Sequence, residues 1–410
     1  MRILVLSLNY YPELVGCAKF TTDMVNWLSK ESNKIIVITT NAFYPKWEAK
    51  RNDYNKTTHK KITIVRCPIY IPKNPNGIKR SLHYLSFFIS SLPVVFYYGF
   101  KKMDVAFAMC PTILSAPNIL IIAFIKKLLR MRKLTTWIHF LDLEIEAAFQ
   151  LKLFKNDFFK RFLFTFEKFI LNKFDYISSI SIYMNKKISQ KINKRKNIYY
   201  LPIFIETKDF KITNKDKIFN PYNQKFGKNN KKIIMYSGSI NEKLSYETLV
   251  QTIKILDSKK DIIWIICGSG PIKPYLINKL KNNKNVNFYD FQPNENLPYW
   301  LDIADIHLIP QKLSSVKFCL PSKLLGILAS GKPVIGIAPQ NSELGNILDL
   351  YGVRLSDENP KTMADSLIKL IENKELRKKL GESSRKYIKN NHEKDKILNK
   401  LLTKIKGIIN

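Results

Sequence analysis

The chain alternates short apolar runs with amphipathic stretches over most of its 410 residues. This pattern is typical of layered α/β proteins, in which strands alternate with helices. Between the first two runs, Ala18–Lys30 has the apolar spacing of a helix. The predicted strands are Ile3–Leu8, Ile35–Thr39, Ile62–Cys67, Val105–Ala108, Leu134–His139 and Tyr176–Ser181 in the first half, and Ile233–Tyr236, Ile262–Ile266, Val286–Tyr289, Ile306–Ile309 and Val334–Ile335 in the second.

The two series of strands are joined at Tyr200–Phe210, where a proline interrupts an apolar run. We therefore predict two doubly wound, Rossmann-like α/β domains, residues 1–203 and residues 204–384. Ligands of such sheets bind outside the carboxyl ends of the strands. The loops that follow the predicted strands are accordingly the places to search for a site.

Two apolar stretches, Leu82–Phe100 and Asn118–Arg132, have to be tested as membrane segments. The first has about the length of a spanning helix, and the second ends in a basic cluster. A spanning helix inside a βαβ series would interrupt the sheet, although it stays open as an alternative. We predict buried helices with an exposed basic rim, which suits peripheral contact with anionic lipid headgroups.

Composition adds a strong positive charge, a formal +35 at pH 7. Residues 1–200 alone hold 33 lysines and arginines against 12 acidic residues. Such a surplus suits nucleic acid, an anionic membrane or acidic ligands, or it reflects a general enrichment in Lys, Ile and Asn. No nucleic-acid-binding motif accompanies the charge, so we expect no nucleic acid as partner.

The cysteines and the start of the chain carry a second set of expectations. The five cysteines are widely separated and form no CxxC pair, which favours a reducing compartment and predicts no metal site. Residues 3–8 already form a predicted strand, so the chain lacks the charged and apolar segments of a signal peptide.

The stretch KKIIMYSGSINEKLSYETLVQTI, Lys231–Ile253, combines a strand, a glycine turn and the start of a helix. The first backbone N–H groups of a helix are unpaired and lie at the positive end of its dipole. Gly238 and Ser239 form the turn, and Lys243 adds a full positive charge just before the helix. This arrangement predicts a phosphate or diphosphate site.

Two candidates lie in the first half. Gly16 is in the loop that opens the first helix, where a glycine lets a sugar or diphosphate approach the backbone closely. A glycine in such a loop is more commonly an ordinary turn residue. His139 ends a predicted strand and is therefore placed to face a ligand, or it is simply a buried, hydrogen-bonded histidine.

The second half holds further candidates after its strands. Gly268 belongs to CGSGP, a turn that is not a dinucleotide fingerprint because Lys273 occupies the position of the third glycine. Phe291 and Gln292 follow the next strand, and an aromatic ring with an amide suits a nucleobase. Ser322, after a proline, opens a predicted helix whose N–H groups again favour phosphate.

In this order, these pieces resemble the bacterial family 4 glycosyltransferases of the GT-B fold, in the branch that works on colanic acid, capsule and O-antigen. The resemblance covers nearly the whole chain. It rests on the stretches LNYYPELVGCAKFTTDMV, NAFYPKW, RCPIYIPK, WIHFLDLE, YSGSINEK, CGSGP, LPYWLDIADIHLIPQ, LPSKLLGILASGKPVI and NSELGNIL.

The resemblance implies an acceptor-binding first domain and a donor-binding second domain, facing each other across a cleft, with a C-terminal helix, 385–410, that packs back on the first. It gives His139 a contact with the transferred sugar and Lys243 a contact with the donor diphosphate. It assigns further diphosphate contacts to the backbone of Ser322, Lys323 and Leu324.

The chain departs from the family pattern at several of these positions. Ser239 replaces the usual arginine after Gly238, and Cys17 replaces the second glycine of a common Gly-Gly pair. The two family glutamates, one near the sugar and one at the ribose, correspond to Phe318 and Gly326. The ribose contact at Gly326 is therefore in question.

The resemblance implies a retaining hexosyl- or N-acetylhexosaminyltransferase that uses a UDP- or GDP-sugar without cofactor or metal. Its acceptor would be a saccharide on polyprenyl diphosphate, at the cytoplasmic face of the inner membrane, in surface polysaccharide synthesis. In the implied mechanism the leaving diphosphate takes the proton of the acceptor, so no carboxylate pair is needed. A catalytically weak partner subunit of another transferase and a nucleotide-sugar epimerase remain as alternatives.

Overall fold

The chain forms two compact units, Met1–Ile203 with Lys396–Asn410, and Phe204–Asp395. The computed structural model describes residues 1–13, 16–44, 46–73, 77–110, 113–143, 145–146, 149, 157–193, 197–210, 222, 231–316 and 320–409. The boundary between the units lies in the proline-containing segment Tyr200–Phe210 that separates the two series of predicted strands.

The described part of the first unit is a parallel sheet with helices. Its strands are β1 (Arg2–Ser7), β2 (Lys34–Thr40), β3 (Asn55–His59), β4 (Ile62–Cys67), β5 (Val105–Cys110), β6 (Thr135–Phe140), β7 (Tyr176–Ser179) and β8 (Asn197–Tyr200). Its helices are α1 (Cys17–Glu31), α2 (Gly77–Gly99), α3 (Pro117–Leu128), α4 (Asp157–Leu171) and α5 (Ile182–Ser189), with a 3₁₀ turn at Ile113–Ser115. The strand order is β3-β4-β2-β1-β5-β6-β7-β8, and only the β3–β4 pair is antiparallel.

The apolar runs of the sequence become the central strands, because strands covered by helices on both faces are apolar throughout. In β1, Ile3, Leu4 and Val5 are fully buried, and in β5 all six residues are buried. The sequence did not predict β3 and β8. The first is the polar, exposed edge strand Asn55–His59, and the second is a short, half-buried strand that leads directly into the predicted junction at Tyr200–Phe210.

The described part of the second unit contains a fully parallel sheet. Its strands are β9 (Lys232–Ser237), β10 (Ile262–Cys267), β11 (Val286–Tyr289), β12 (Ile306–Ile309), β13 (Val334–Ile337) and β14 (Val353–Leu355), in the order β11-β10-β9-β12-β13-β14. Its helices are α6 (Tyr246–Ile255), α7 (Lys273–Leu280), α8 (Leu297–Asp302), α9 (Leu313–Val316), α10 (Lys323–Ser330), α11 (Glu343–Tyr351), α12 (Pro360–Glu372) and α13 (Lys374–Asn391), with 3₁₀ turns at Thr207–Phe210 and Asn294–Asn296.

Each strand predicted in the second half is present, and the short edge strand β14 is the one that the pattern missed. The central strand β9 carries Ile234 and Met235, both fully buried. The order changes direction next to β9, with β10 on one side and β12 on the other. In doubly wound sheets a ligand binds at the carboxyl ends of the strands at such a switch point.

The final helix, α14 (Lys394–Ile409), belongs with the first unit from Lys396 onward. Lys406 pairs with Glu31 at 3.5 Å, and Arg132 donates to the carbonyl of Ile409. We expected the chain to return to the first unit at residue 385, but it does so only at Lys396. Arg385 lies in α13, where its guanidinium donates to the carbonyls of Ala329 and Phe210 in the second unit.

The two apolar stretches of the first half form α2 and α3, which pack on each other. The expectation of buried helices holds for one face of each helix, where Phe87 and Val95 of α2 and Ile119 and Ile122 of α3 are fully buried. The opposite face of α2 leaves apolar side chains in solvent, because a helix packed on one side buries a single stripe. Among the described helices, none has both the length and the hydropathy that a bilayer-spanning segment requires.

Candidate functional site

In the second unit, the candidate site is the turn Ser237–Ser239 that follows the central strand β9. Gly238 has φ of +146°, a conformation that glycine alone adopts without strain, and its N–H donates to the carbonyl of Cys267 at 2.9 Å. A Cβ at Gly238 would lie 3.0 Å from Cδ and 3.1 Å from Nζ of Lys323. The positive φ explains the glycine in the predicted turn, and the side chain of Lys323 lies across it.

The loop that carries Lys243 is tied to the segment that directly follows strand β12. The backbone N–H of Lys243 donates to Oδ1 of Asn241 at 3.0 Å, and its carbonyl accepts from the N–H of Lys312 at 2.9 Å. Leu244 forms a bridge with Gln311. Lys243 thus lies in a backbone held on two sides, three residues before α6 begins.

The predicted diphosphate contacts at the start of α10 are only partly available. Leu324 donates its N–H to the carbonyl of Pro321 at 3.0 Å, so this group is already used and the prediction for it is not supported. The N–H groups of Ser322 and Lys323 have no acceptor among the described residues. The hydroxyl of Ser322 is exposed and makes no cap to the helix.

Two of the predicted donor-binding glycines have packing roles in this structure. A Cβ at Gly268 would lie 1.9 Å from the carbonyl oxygen of Gly238, and Gly268 is buried. A Cβ at Gly326 would lie 3.1 Å from Cδ1 of Leu301. Gly326 is buried within α10, so the family's glutamate could not replace it without displacing that leucine.

The two residues predicted to recognise a base lie just after β11. The ring of Phe291 is 45% exposed, which leaves it available for stacking. Gln292 accepts a hydrogen bond from the hydroxyl of Tyr222 at 3.0 Å and donates to the carbonyl of Asp290 at 2.9 Å. Its amide is therefore held in place, with one N–H left for a ligand. Phe318, the position of the other family glutamate, lies outside the described residues.

In the first unit, His139 is fully buried near the carboxyl end of β6, stacked on Phe20 with 5.1 Å between ring centroids. Its Nδ1 lies 2.9 Å from Oγ of Ser178, which also accepts a hydrogen bond from the indole N–H of Trp137 at 2.7 Å. A Ser178 hydroxyl that accepts from the indole keeps its own proton to donate to Nδ1, and with that orientation the neutral ring of His139 carries its proton on Nε2.

Burial lowers the pKa of His139 to about 3, so the ring is neutral at physiological pH. Its Nε2 is buried and has no hydrogen-bond partner among the described residues. A buried N–H donor without an acceptor costs stability and is retained where a ligand accepts from it. His139 is thus suited to donate a hydrogen bond, and unsuited to act as a cation or a proton acceptor at Nε2.

Gly16 precedes α1 with φ of +56°, and no atom lies within 4 Å of the place of its absent Cβ. Packing on described atoms therefore does not explain the glycine, in contrast to Gly238 and Gly268. The open space beside its backbone is compatible with the predicted close approach of a ligand, which stays a prediction.

Sequence reasoning missed Glu13, a buried acid in the loop after β1. Its Oε1 accepts the N–H groups of Phe43 and Tyr44, each at 2.8 Å, and its Oε2 accepts from Nδ2 of Asn9 at 2.7 Å. The carboxylate thereby fixes the loop after β2 to the loop that leads to Gly16. Burial raises its pKa. In the sequence, an acid after a proline looks like any exposed loop residue.

The comparisons with known proteins agree with this arrangement. The profile of the family described as glycosyl transferases group 1 matches residues 219–387. An Escherichia coli K12 protein described as the colanic acid biosynthesis glycosyl transferase WcaI is 31% identical to this chain. The match covers 99% of this chain and 100% of that protein.

Two solved structures are similar in fold at low identity. Sucrose-phosphate synthase from Thermosynechococcus elongatus has a TM-score of 0.77 at 13% identity, covering 100% of this chain and 99% of that one. HepE from Anabaena, solved with UDP and glucose, has a TM-score of 0.68 at 11% identity, covering 99% of this chain and all of that one.

The two parallel-sheet units and their structural neighbours define a protein of the GT-B glycosyltransferase fold. The near-full-length similarity makes the family plain: the chain belongs to the group 1 glycosyltransferases. The predicted fold class and the predicted resemblance to glycosyltransferases of colanic acid synthesis are confirmed. The roles of individual site residues stay predictions.

Proposed function

We propose that this glycosyltransferase moves one hexosyl or N-acetylhexosaminyl unit from a UDP- or GDP-sugar to a saccharide on polyprenyl diphosphate, with retention of anomeric configuration. The observation that carries the proposal is the turn after β9 at the carboxyl end of the central strand, where Gly238 has a positive φ and the loop leads to Lys243. The name of the E. coli relative supports surface polysaccharide synthesis, and the HepE complex with UDP supports a nucleotide-sugar donor.

The proposed chemistry needs charge stabilisation rather than a carboxylate pair. The bond between the anomeric carbon and the donor phosphate breaks, the acceptor oxygen bonds to that carbon, and its proton passes to the leaving diphosphate. Lysine ammonium groups aimed at the diphosphate stabilise the charge that develops on it. A neutral His139 with its proton on Nε2 would donate to a sugar hydroxyl and orient the ring. These groups supply the chemistry without a cofactor or metal.

The proposal is tested by thermal unfolding of the purified chain with a panel of UDP- and GDP-sugars. A ligand at 100 times its Kd stabilises the protein by about 2.7 kcal/mol, which shifts Tm by about 5–11 °C for a domain of 150–250 residues. We expect one nucleotide class to stabilise the protein, Lys243→Ala to lose the effect, and the exposed-lysine control Lys259→Ala to keep it. No shift with any member of the panel would overturn the proposal.

A second candidate function has its own observation. Gly326 lacks the family's ribose-binding carboxylate, a side chain there would displace Leu301, and Ser239 is not an arginine, as expected of a catalytically weak partner subunit. Donor binding without sugar transfer to a lipid-diphosphate saccharide would favour that function. Turnover of the donor without any acceptor would instead indicate an epimerase.

The acceptor and the proposed location at the cytoplasmic face of the inner membrane are supported by an exposed apolar stripe on α2. The exposed side chains of this stripe recur every three or four residues from Ile78 to Ile89, and three more lie near the end of the helix or just past it. They are Ile78, Leu82, Leu85, Ile89, Phe96, Tyr97 and Phe100. On the adjacent α3, Phe124 and Leu128 are 65% and 71% exposed.

Basic side chains border this stripe. Lys101 and Lys102 follow the end of α2, Lys127 and Arg130 lie at the end of α3, and all four are exposed. An apolar stripe with a basic border is typical of helices that lie in a membrane interface and attract anionic headgroups. The first unit therefore has a surface suited to the membrane that would hold a polyprenyl-linked acceptor.

We expect the protein to cosediment with phosphatidylglycerol vesicles and only weakly with phosphatidylcholine vesicles. The double substitution Ile89→Glu with Phe96→Glu removes two apolar side chains worth about 1.5–3 kcal/mol each and should weaken binding at least tenfold. Leu350→Glu, on the exposed side of α11 in the second unit, is the matched control and should bind like the wild type. Equal binding by all three proteins would contradict this assignment of the surface.

A further inference from the structure

The ammonium group of Lys323 has no acidic side chain to pair with among the described residues. It lies over the ring of Tyr236, with Nζ 3.8 Å from the ring centroid. That ring is itself fixed by the same turn, because its hydroxyl donates to the carbonyl of Ser239 at 2.6 Å. A cation–π contact holds an ammonium in position and leaves its N–H groups free to donate.

The position of this ammonium group is specific. Nζ lies 3.1 Å from the place of a Cβ on Gly238, and therefore directly over the turn that ends β9. This is the carboxyl end of the central strand, beside the reversal of strand order. Lys323 is the first residue of α10, so its side chain extends to the turn from a different element.

The surroundings disfavour the charged form when no ligand is bound. Burial lowers the pKa of Lys323 to about 7. The other groups that act on this region do not balance the charge: His307 is buried and neutral, Lys332 is paired with Asp302 at 3.3 Å, and Tyr236 is held in its neutral form by burial. A bound anion is the partner that this environment lacks.

We propose that Nζ of Lys323 binds the diphosphate of the donor directly, and that it supplies the charge which Ser239 does not. The inference rests on the proposed function and adds to it the identity of a second cationic contact from α10. Charge-assisted hydrogen bonds from an ammonium to phosphate oxygens are among the strong ones in proteins. The lysine would also stabilise the negative charge on the leaving diphosphate.

A pH dependence follows from this geometry. In the free protein Lys323 titrates near pH 7, and the bound diphosphate would raise its pKa. Binding therefore takes up a proton when the pH is above 7. Below pH 7 the lysine is already protonated, so the affinity for UDP should not change with pH through this group. Above pH 7 the affinity should fall as the pH rises.

Titration calorimetry of the full-length protein with UDP, GDP and inorganic pyrophosphate tests this proposal. Runs at pH 6.5 and 8.5, each in two buffers of different ionisation enthalpy, report the protons taken up. For the nucleotide that binds, we expect Lys323→Met to lower affinity by about 10–100-fold, which is 1.4–2.8 kcal/mol at 1.4 kcal/mol per tenfold. Proton uptake at pH 8.5 should disappear with it.

Two further variants separate the possible outcomes. Lys323→Arg should restore much of the affinity without proton uptake, since its guanidinium stays charged. Lys378→Met, an exposed lysine of α13, should bind like the wild type. Nucleotide binding with unchanged affinity and unchanged proton uptake in Lys323→Met overturns the inference alone. A wild type that binds none of the three ligands overturns the proposed function, and the inference with it.

Discussion

Replacing His139 with phenylalanine is expected to lower the turnover of sugar transfer by about 10²–10³-fold, the usual cost of removing one positioned hydrogen-bond donor from a reaction centre. Phenylalanine keeps the volume of the ring and its stacking on Phe20, which lies 5.1 Å away. It removes the Nε2 proton that has no acceptor among the described residues. The readout is kcat with the stabilising donor from the thermal panel.

The matched control is His307→Phe, which replaces a second fully buried histidine in the middle of β12. His307 lies 3.0 Å from the carbonyl of Leu301 and has no place in the proposed chemistry. We expect this variant to lose stability and to keep turnover within about threefold of the wild type. His139→Phe with near-normal Tm and kcat would show that the histidine is structural.

The hydroxyl of Ser178 gives a second route to the same conclusion. Ser178→Ala leaves Nδ1 of His139 without its donor, so the proton is no longer held on Nε2. The expected loss of kcat is smaller than for His139→Phe, and Ser178→Thr should recover most of it. Since the pKa of His139 is about 3, its titration should not appear in the pH profile of kcat between pH 5 and 8.

Gly268→Ala is expected to lower the free energy of unfolding by more than about 3 kcal/mol, among the largest effects of a single substitution. A Cβ there would lie 1.9 Å from the carbonyl oxygen of Gly238, a backbone atom that cannot move without disturbing the turn after β9. The φ of +146° adds strain for any residue with a Cβ. Urea unfolding followed by circular dichroism measures the loss.

Gly407→Ala provides the opposite case with the same chemical change. Gly407 lies in α14, and no atom is found within 4 Å of the place of its Cβ. Alanine is better than glycine in a helix by about 0.8–1.0 kcal/mol, so this variant should be slightly more stable than the wild type. Equal stability of the two variants would contradict the packing role assigned to Gly268.

Much of the fold could be predicted because its strands are apolar over their whole length. The strands predicted in the second half, from Ile233–Tyr236 to Val334–Ile335, all appear in the sheet, with ends shifted by no more than two residues. The pattern failed at the edges. Asn55–His59 is polar because it faces solvent. It is held by antiparallel pairing with β4, and this pairing leaves no apolar pattern in the sequence.

The sequence also predicted which loops follow the strands, and therefore where a charged ligand would bind. It did not predict the packing and hydrogen bonding of the groups in those loops. Gly238, Gly268 and Gly326 cannot be distinguished from the sequence alone. In the structure the first lies under a lysine, the second packs on a carbonyl oxygen and the third packs on a leucine. Leu324 was expected to offer an N–H that the structure shows already bonded to Pro321.

By itself, the sequence determined the class of fold, the junction near residue 203 and the family, because these depend on local periodicity and on motifs read in order. The tertiary structure decided the chemistry of single groups. His139 is positioned by Ser178, 39 residues away, whose hydroxyl also accepts from Trp137 and lies 2.9 Å from Nδ1. Lys323 lies over Gly238 only because α10 begins beside β9. Burial and hydrogen bonding between distant segments set the charge of each group, and no local pattern encodes them.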